Sequence, residues 1–454
     1  MSAKVQTEAF NSKACTDFLA IIMKIRSLIK SLSLLLGAST LAFSQNQSPA
    51  YFTGGPLVYD DHVYQEGILS VRFAPAGNDL AMPIIALNSG QQLELSFDDL
   101  YEEFSDMSYT IYHCNADWTP SDLMRNDYSS NLADEYIQNF EYSLNTFIPY
   151  TNYKLSIPNQ KVRLTKSGNY LLVIYRNNDK SQLVLSRRFM VYEEIVKVGA
   201  LVKRATRVEK MQTHQEVDFE INHSNYAIPN PFTDLKVILM QNQRWDNSID
   251  NLKPQFLQNA KLIYQYDDEN TFAGGSEFRF FDLKNLFSLS MNVRKITQDS
   301  LFTAYLNPDI TRGIENYSFI NDINGQLRVR RLDAPNSDSE ADYALVDFYL
   351  DYPQEISSKV YVFGELSDWK MLPQFELFYD NTRKAYRTQL LLKQGFYNYA
   401  YAIDDYTKSG SDLGFFEGNH WQTSNQYQIL VYHREIGSRY DRLVGFAEIS
   451  SDNL

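Results

Sequence analysis

The residues able to do chemistry in this chain do not gather. Its six histidines, His62, His113, His214, His223, His420 and His433, stand apart, with no pair at the helical spacing that brings two imidazoles to one metal. Glu417 to His420 with His433 is the one loose grouping, and isolated or hydrogen-bonded imidazoles account for it. Acidic pairs recur at Asp60 and Asp61, Asp98 and Asp99, Asp267 and Asp268, and Asp404 and Asp405. Glycoside hydrolysis needs two carboxylates across a cleft, whereas neighbours along a strand point to opposite faces. Asp322, Ile323, Asn324, Gly325 resembles part of a calcium loop but lacks its spacing and closing glutamate. Neither a glycine-rich phosphate loop nor a Gly-x-Ser-x-Gly elbow occurs. The sequence therefore predicts no enzyme, no catalytic residues, no metal site and no cofactor.

The elements that would position any site are strands. The stretch Tyr109 to Val173 opens on Tyr109 to Cys114, passes the aromatic knot Asn115 to Trp118, makes an excursion over Thr119 to Asn145, and returns through Tyr150 to Pro158. It ends on Ser167, Gly168, Asn169, Tyr170, followed by the apolar run Leu171 to Tyr175. A Gly two residues before such a Tyr marks the corner of many sandwich domains, where the hydroxyl bonds back to upstream backbone. Gly395, Phe396, Tyr397 repeats the pattern. Strands come with turn chemistry between them, Asn88, Ser89, Gly90 reading as a hairpin turn between Pro83 to Leu87 and Gln91 to Phe97. The expected fold is all-β, as tandem immunoglobulin-like, early-set β-sandwich domains.

At 454 residues several cores are needed. Residues 1–44 divide into an upstream segment and a secretory signal peptide: Lys24, Arg26 and Lys30 precede an apolar run, with small residues before a cleavage point after Ser44. Met23 is the preferred start. An N-terminal arm is expected over 45–64, a β-sandwich over 65–195 with a loop insertion at 119–145, and a middle β domain over 196–335. A C-terminal immunoglobulin-like sandwich over 340–446 and a tail over 447–454 complete the division.

Formal charge is −14; residues 1–44 carry five Lys or Arg against two Asp or Glu, so the remainder stands at −17. Such acidity argues against nucleic acid and anionic lipid, where Lys and Arg supply affinity. Cys114 is the one thiol after the leader and excludes an internal disulfide framework. With 32 Tyr and 28 Phe, stability must come from packed sheets.

Candidate contacts lie in two places. The excursion interleaves Tyr128, Tyr136, Phe140 and Tyr142 with acidic residues, and Leu132 to Phe140 has the pattern of a short helix. It reads either as a lid whose aromatics join the core or as a partner surface. Lys203, Arg204 and Arg207 form a basic cluster, either a solvated strand face or a contact for an acidic partner. Separately, Val360 to Lys370 with Gly395 to Tyr401 resembles early-set domains that include glycogen-binding modules. That resemblance gives Trp369 and Lys370 as sugar-binding candidates.

A longer series is more specific. It runs His113 to Trp118 with Ser121; Ser143 to Thr146; Tyr150 to Tyr153; Ile157, Pro158, Asn159; Ser167 to Tyr170; and Arg188 to Val191. It continues with Gln241 to Trp245, Gly274 to Asp282, Asp322 to Gly325, Val431 and Tyr432, and Arg439 to Leu443. In order, these resemble the plug protein family of the type IX secretion system of Bacteroidota, over about Val58 to Phe446. The resemblance implies a non-enzymatic periplasmic protein, associated with the outer membrane through protein contact. It would dock on the periplasmic opening of the translocon barrel and close it when no substrate is in transit. The alternative is a periplasmic glycan-binding protein using the last domain. Nothing in the sequence points to a homo-oligomer.

Overall fold

Alternation along one strand explains how the units are joined. In a computed structural model, which describes residues 50–101, 104–404 and 411–452, the strand Gly168–Arg176 is buried along its whole length. Tyr170, Leu172 and Ile174 enter one core, and Leu171, Val173 and Tyr175 enter another. A strand with apolar partners on both faces must read as a continuous apolar run. The leader, the start at Met23 and Cys15 lie outside the described residues.

The first sandwich has one sheet in the order Ile68–Pro75, Leu93–Asp99, Thr151–Ile157, Asn139–Tyr142. The facing sheet runs His62–Val63, Leu183–Tyr192, Gly168–Arg176, Met107–Cys114, Glu135–Tyr136. The hairpin expected at Asn88 to Gly90 does not form: Ile84–Ala86 pairs in parallel with Met190 to Tyr192, so the chain changes sheets there. The corner forms as expected, with the Tyr170 hydroxyl donating to the Lys166 carbonyl at 2.7 Å. Gly168 is required there, since its φ is +134° and a Cβ would stand 2.6 Å from His113 Nε2.

The second sandwich packs Lys197–Arg204, His214–Asn222, Lys261–Tyr264 and Phe256–Gln258 against a three-stranded sheet. That sheet is Leu235–Gln241, Gln426–His433, Arg442–Ser450. The end of the chain therefore returns to the middle of the molecule, and the pairing cuts across the expected boundary at 335–340. Leu235 lies opposite His433 and Gln241 opposite Tyr427. Val237, Leu239, Ile429 and Val431 fill the second core, while Ile238, Met240, Leu430 and Tyr432 pack under the first sandwich.

The third core is inserted between these segments, around Phe281, Phe348, Val362, Tyr397 and Tyr401. Its second corner matches the first, Tyr397 donating to the Lys393 carbonyl. Two antiparallel connectors enter and leave it, tied by His420 N to Gly275 O at 2.8 Å, Ser276 Oγ to Glu417 O at 2.6 Å and Asn425 Nδ2 to Gly274 O at 2.9 Å. Between the expected middle and C-terminal domains the chain forms the helical turn Ser337–Glu340, docked on the first sandwich. Arg72 and Lys154 both hold Asp338, at 2.5 and 2.6 Å. Residues 49–454 accordingly form one compact unit.

Candidate functional site

The excursion is stapled from within. Asp127 accepts from Met124 N at 2.9 Å and caps the helical turn Arg125–Tyr128. Arg125 donates to the carbonyls of Asn131 and Ala133 and pairs with Asp134. No helix forms over Leu132 to Phe140; instead Glu135–Tyr136 and Asn139–Tyr142 add the outermost strand to each sheet. Alternation separates Ile137 from Tyr136, while Tyr142 shares the face of Phe140 and is exposed at the end of its strand. Ile137 points into the core, while Tyr136 and Tyr142 stand 48% and 56% exposed.

The structure divides the four aromatic candidates. Tyr128 is core, not contact surface: it is buried, and its hydroxyl donates to Ile111 O at 3.1 Å. Phe140 is half-buried, 4.8 Å from Phe104 and 5.8 Å from Tyr142 between ring centroids. Tyr136 and Tyr142 are exposed. Sequence reasoning missed Phe104 and the turn after Tyr142, where Leu144 and Phe147 are exposed. Phe147 stacks edge-on against Phe302 of the inserted core at 5.0 Å, and Phe287 does so at 5.4 Å. The apolar band thus crosses from one sandwich to another, which no local pattern could reveal.

The basic cluster is largely neutralised. Lys203 bridges Glu216 and Asp218 at 2.9 and 2.6 Å, and Arg204 lies 5.0 Å over the Trp421 ring while donating to Met211 O. Arg207 is exposed and reaches Glu209 only at 4.0 Å. Trp369 and Lys370 lie at a cleft of about 360 Å³ where the three sandwiches meet. Phe278 and Phe363 pack edge-on against Trp369, and the Arg244 guanidinium covers it at 5.4 Å, so it offers no free platform. Lys370 pairs with Asp60 at 2.9 Å. Arg188 joins Asp60 and Asp61 at 2.9 and 3.0 Å between the rings of Trp118 and Trp245, and Arg187 meets Asp368 at 3.1 Å. The cleft is a joint made of paired charges.

Burial dominates the electrostatics of the interior thiol and imidazoles. Burial pushes the Cys114 thiol up to about 12, so it is no nucleophile at neutral pH. Burial pushes His62 and His113 down to about 4. Among the described residues no group of three or more His, Cys, Asp or Glu is placed to hold a metal ion.

Residues 68–193 match the model of the type 9 secretion system plug protein first domain. A crystal structure of a hypothetical protein from Parabacteroides merdae ATCC 43184 is 33% identical, with a TM-score of 0.84, and the match spans 87% of this chain and 100% of that one. The chain belongs to the type IX secretion system plug family. No curated protein matches it. The segment matched to the plug domain contains the edge strands Glu135–Tyr136 and Asn139–Tyr142, with Tyr136, Phe140 and Tyr142, and ends before the Lys203 to Arg207 cluster. Among the described residues no helix is long and apolar enough to cross a membrane.

Proposed function

We propose that this protein is a non-enzymatic periplasmic plug, docking on the periplasmic opening of the outer-membrane type IX translocon barrel and sealing it between substrates. The observation that carries the reading is the plug-domain match over 68–193 in a sandwich two of whose edge strands hold aromatic side chains out to solvent. A seal must resist deformation, and three cores joined by buried apolar contacts and paired charges suit that task. It must also release, which favours a modest contact with a polar rim over an obligate interface. Tyr136, Phe140 and Tyr142 are the contact.

The test is a pull-down from outer membranes, with ion conductance of the translocon measured before and after this protein is removed. Replacing Tyr136 and Tyr142 together by Ala should reduce co-purification roughly tenfold, the loss of two aromatic anchors, with the unfolding midpoint unchanged. A translocon equally impermeable with and without the protein would overturn the reading.

A further inference from the structure

The inserted sandwich carries a surface that no core absorbs. Between the strands Arg279–Asp282 and Val293–Gln298 the chain makes an irregular loop in which Leu286 turns inward. Phe287, Leu289 and Met291 turn outward, 73%, 63% and 60% exposed, alternating with Ser288 and Ser290. The backbone beneath is pinned: Asn292 Nδ2 donates to Phe280 O at 2.7 Å, Asn307 N to Asn292 O at 3.0 Å and Asp282 N to Met291 O at 3.2 Å. Three large apolar side chains are thus held in water by a well-bonded frame, an arrangement that marks an interaction site.

A basic collar surrounds them. Arg294 occupies the register irregularity between Val293 and Lys295, outside the regular ladder. Leu332 N donates to Lys284 O at 3.1 Å, which brings exposed Leu332, with Arg330 and Arg331, alongside the loop. Five cations, Lys284, Arg294, Lys295, Arg330 and Arg331, face four carboxylates: Asp282 held by Lys284, Asp333 held by Arg331, and Glu340 and Asp342, which also act on Arg331. Arg294 and Arg330 have no carboxylate partner among the described residues. The local excess is positive on a chain whose formal charge is −14.

We propose that this loop is an interfacial membrane anchor: Phe287, Leu289 and Met291 enter the acyl boundary of an anionic phospholipid surface while the collar meets its headgroups. Apolar tips with flanking cations are the two components that peripheral lipid binding requires. The overall acidity argues against anionic lipid only at a distance, because charges act over a Debye length of about 8 Å at physiological ionic strength. Near the surface, the collar is what the lipid meets. The proposal goes beyond the plugging reading and needs no barrel for its test.

The purified chain is floated with vesicles of phosphatidylethanolamine and phosphatidylglycerol, and separately with phosphatidylcholine vesicles. Binding should be roughly tenfold greater to the anionic vesicles and should fall as salt rises. The triple change Phe287→Ser, Leu289→Ser and Met291→Ser should abolish flotation with the unfolding midpoint retained. Arg294→Glu with Arg330→Glu should remove the lipid preference. As a readout independent of affinity, Phe287→Trp should shift its emission to the blue when anionic vesicles are added. Absence of flotation by the wild-type chain, or flotation undiminished in the triple variant, would overturn the proposal. So would a loss confined to protein pull-downs, which would make the loop a protein contact.

Discussion

Tyr128 and Tyr142 belong to one insertion, share a side-chain type and differ in everything that matters for their roles. Tyr128 to Ala empties a core site and strands the Ile111 carbonyl, so it should cost about 3–5 kcal/mol in urea unfolding. Tyr142 to Ala should stay within about 0.5 kcal/mol. Equal effects would show that the division between core and contact is misplaced. The two corner tyrosines, Tyr170 and Tyr397, were legible in advance because Gly two residues before Tyr carries its own mechanism. The fate of Tyr128 was not, since its burial depends on pairing across the sandwich and on a carbonyl seventeen residues away.

Among the elements, the paired connectors to the inserted sandwich carry the most distinctive electrostatics. Burial raises Glu277 to about 7, against hydrogen bonds from Tyr317 and Ser424 that lower it, and burial raises Asp322 to about 6. A carboxyl raised in the folded state binds more protons there than in the unfolded chain. Stability should therefore fall as pH rises from about 4.5 to about 7 through this pair. Glu277 to Gln should raise the unfolding midpoint at pH 8 relative to the wild type, with the advantage shrinking toward pH 5. A pH-independent difference would remove Glu277 from the account. The strands themselves were mostly legible from alternation. What escaped was partner choice: Gln426–His433 has the pattern of a strand in either of two sandwiches, and only its far face, packed under the first core, decides between them.

For the whole molecule, the sandwiches are locked by charges that water does not reach. Lys393 of the inserted sandwich meets Asp98 of the first at 2.6 Å, neither side chain exposed, with Tyr343 and Asn152 completing the carboxylate's bonds. Lys393 to Met should destabilise the protein by about 3–5 kcal/mol, because Asp98 is left buried and unpaired. Adding Asp98 to Asn should recover much of that loss in thermal unfolding. A double variant as unstable as the single one would assign the cost to packing. Another consequence lies in the order of synthesis. The strand Leu235–Gln241 must wait, with one edge open, until Gln426–His433 follows nearly two hundred residues later, and the layer beneath the first sandwich waits with it. Closing so long a loop delays completion. The polypeptide therefore stays vulnerable to proteases and to self-association until residues 426–450 have paired, and a stop just ahead of them leaves the second core and the layer beneath the first sandwich unfinished.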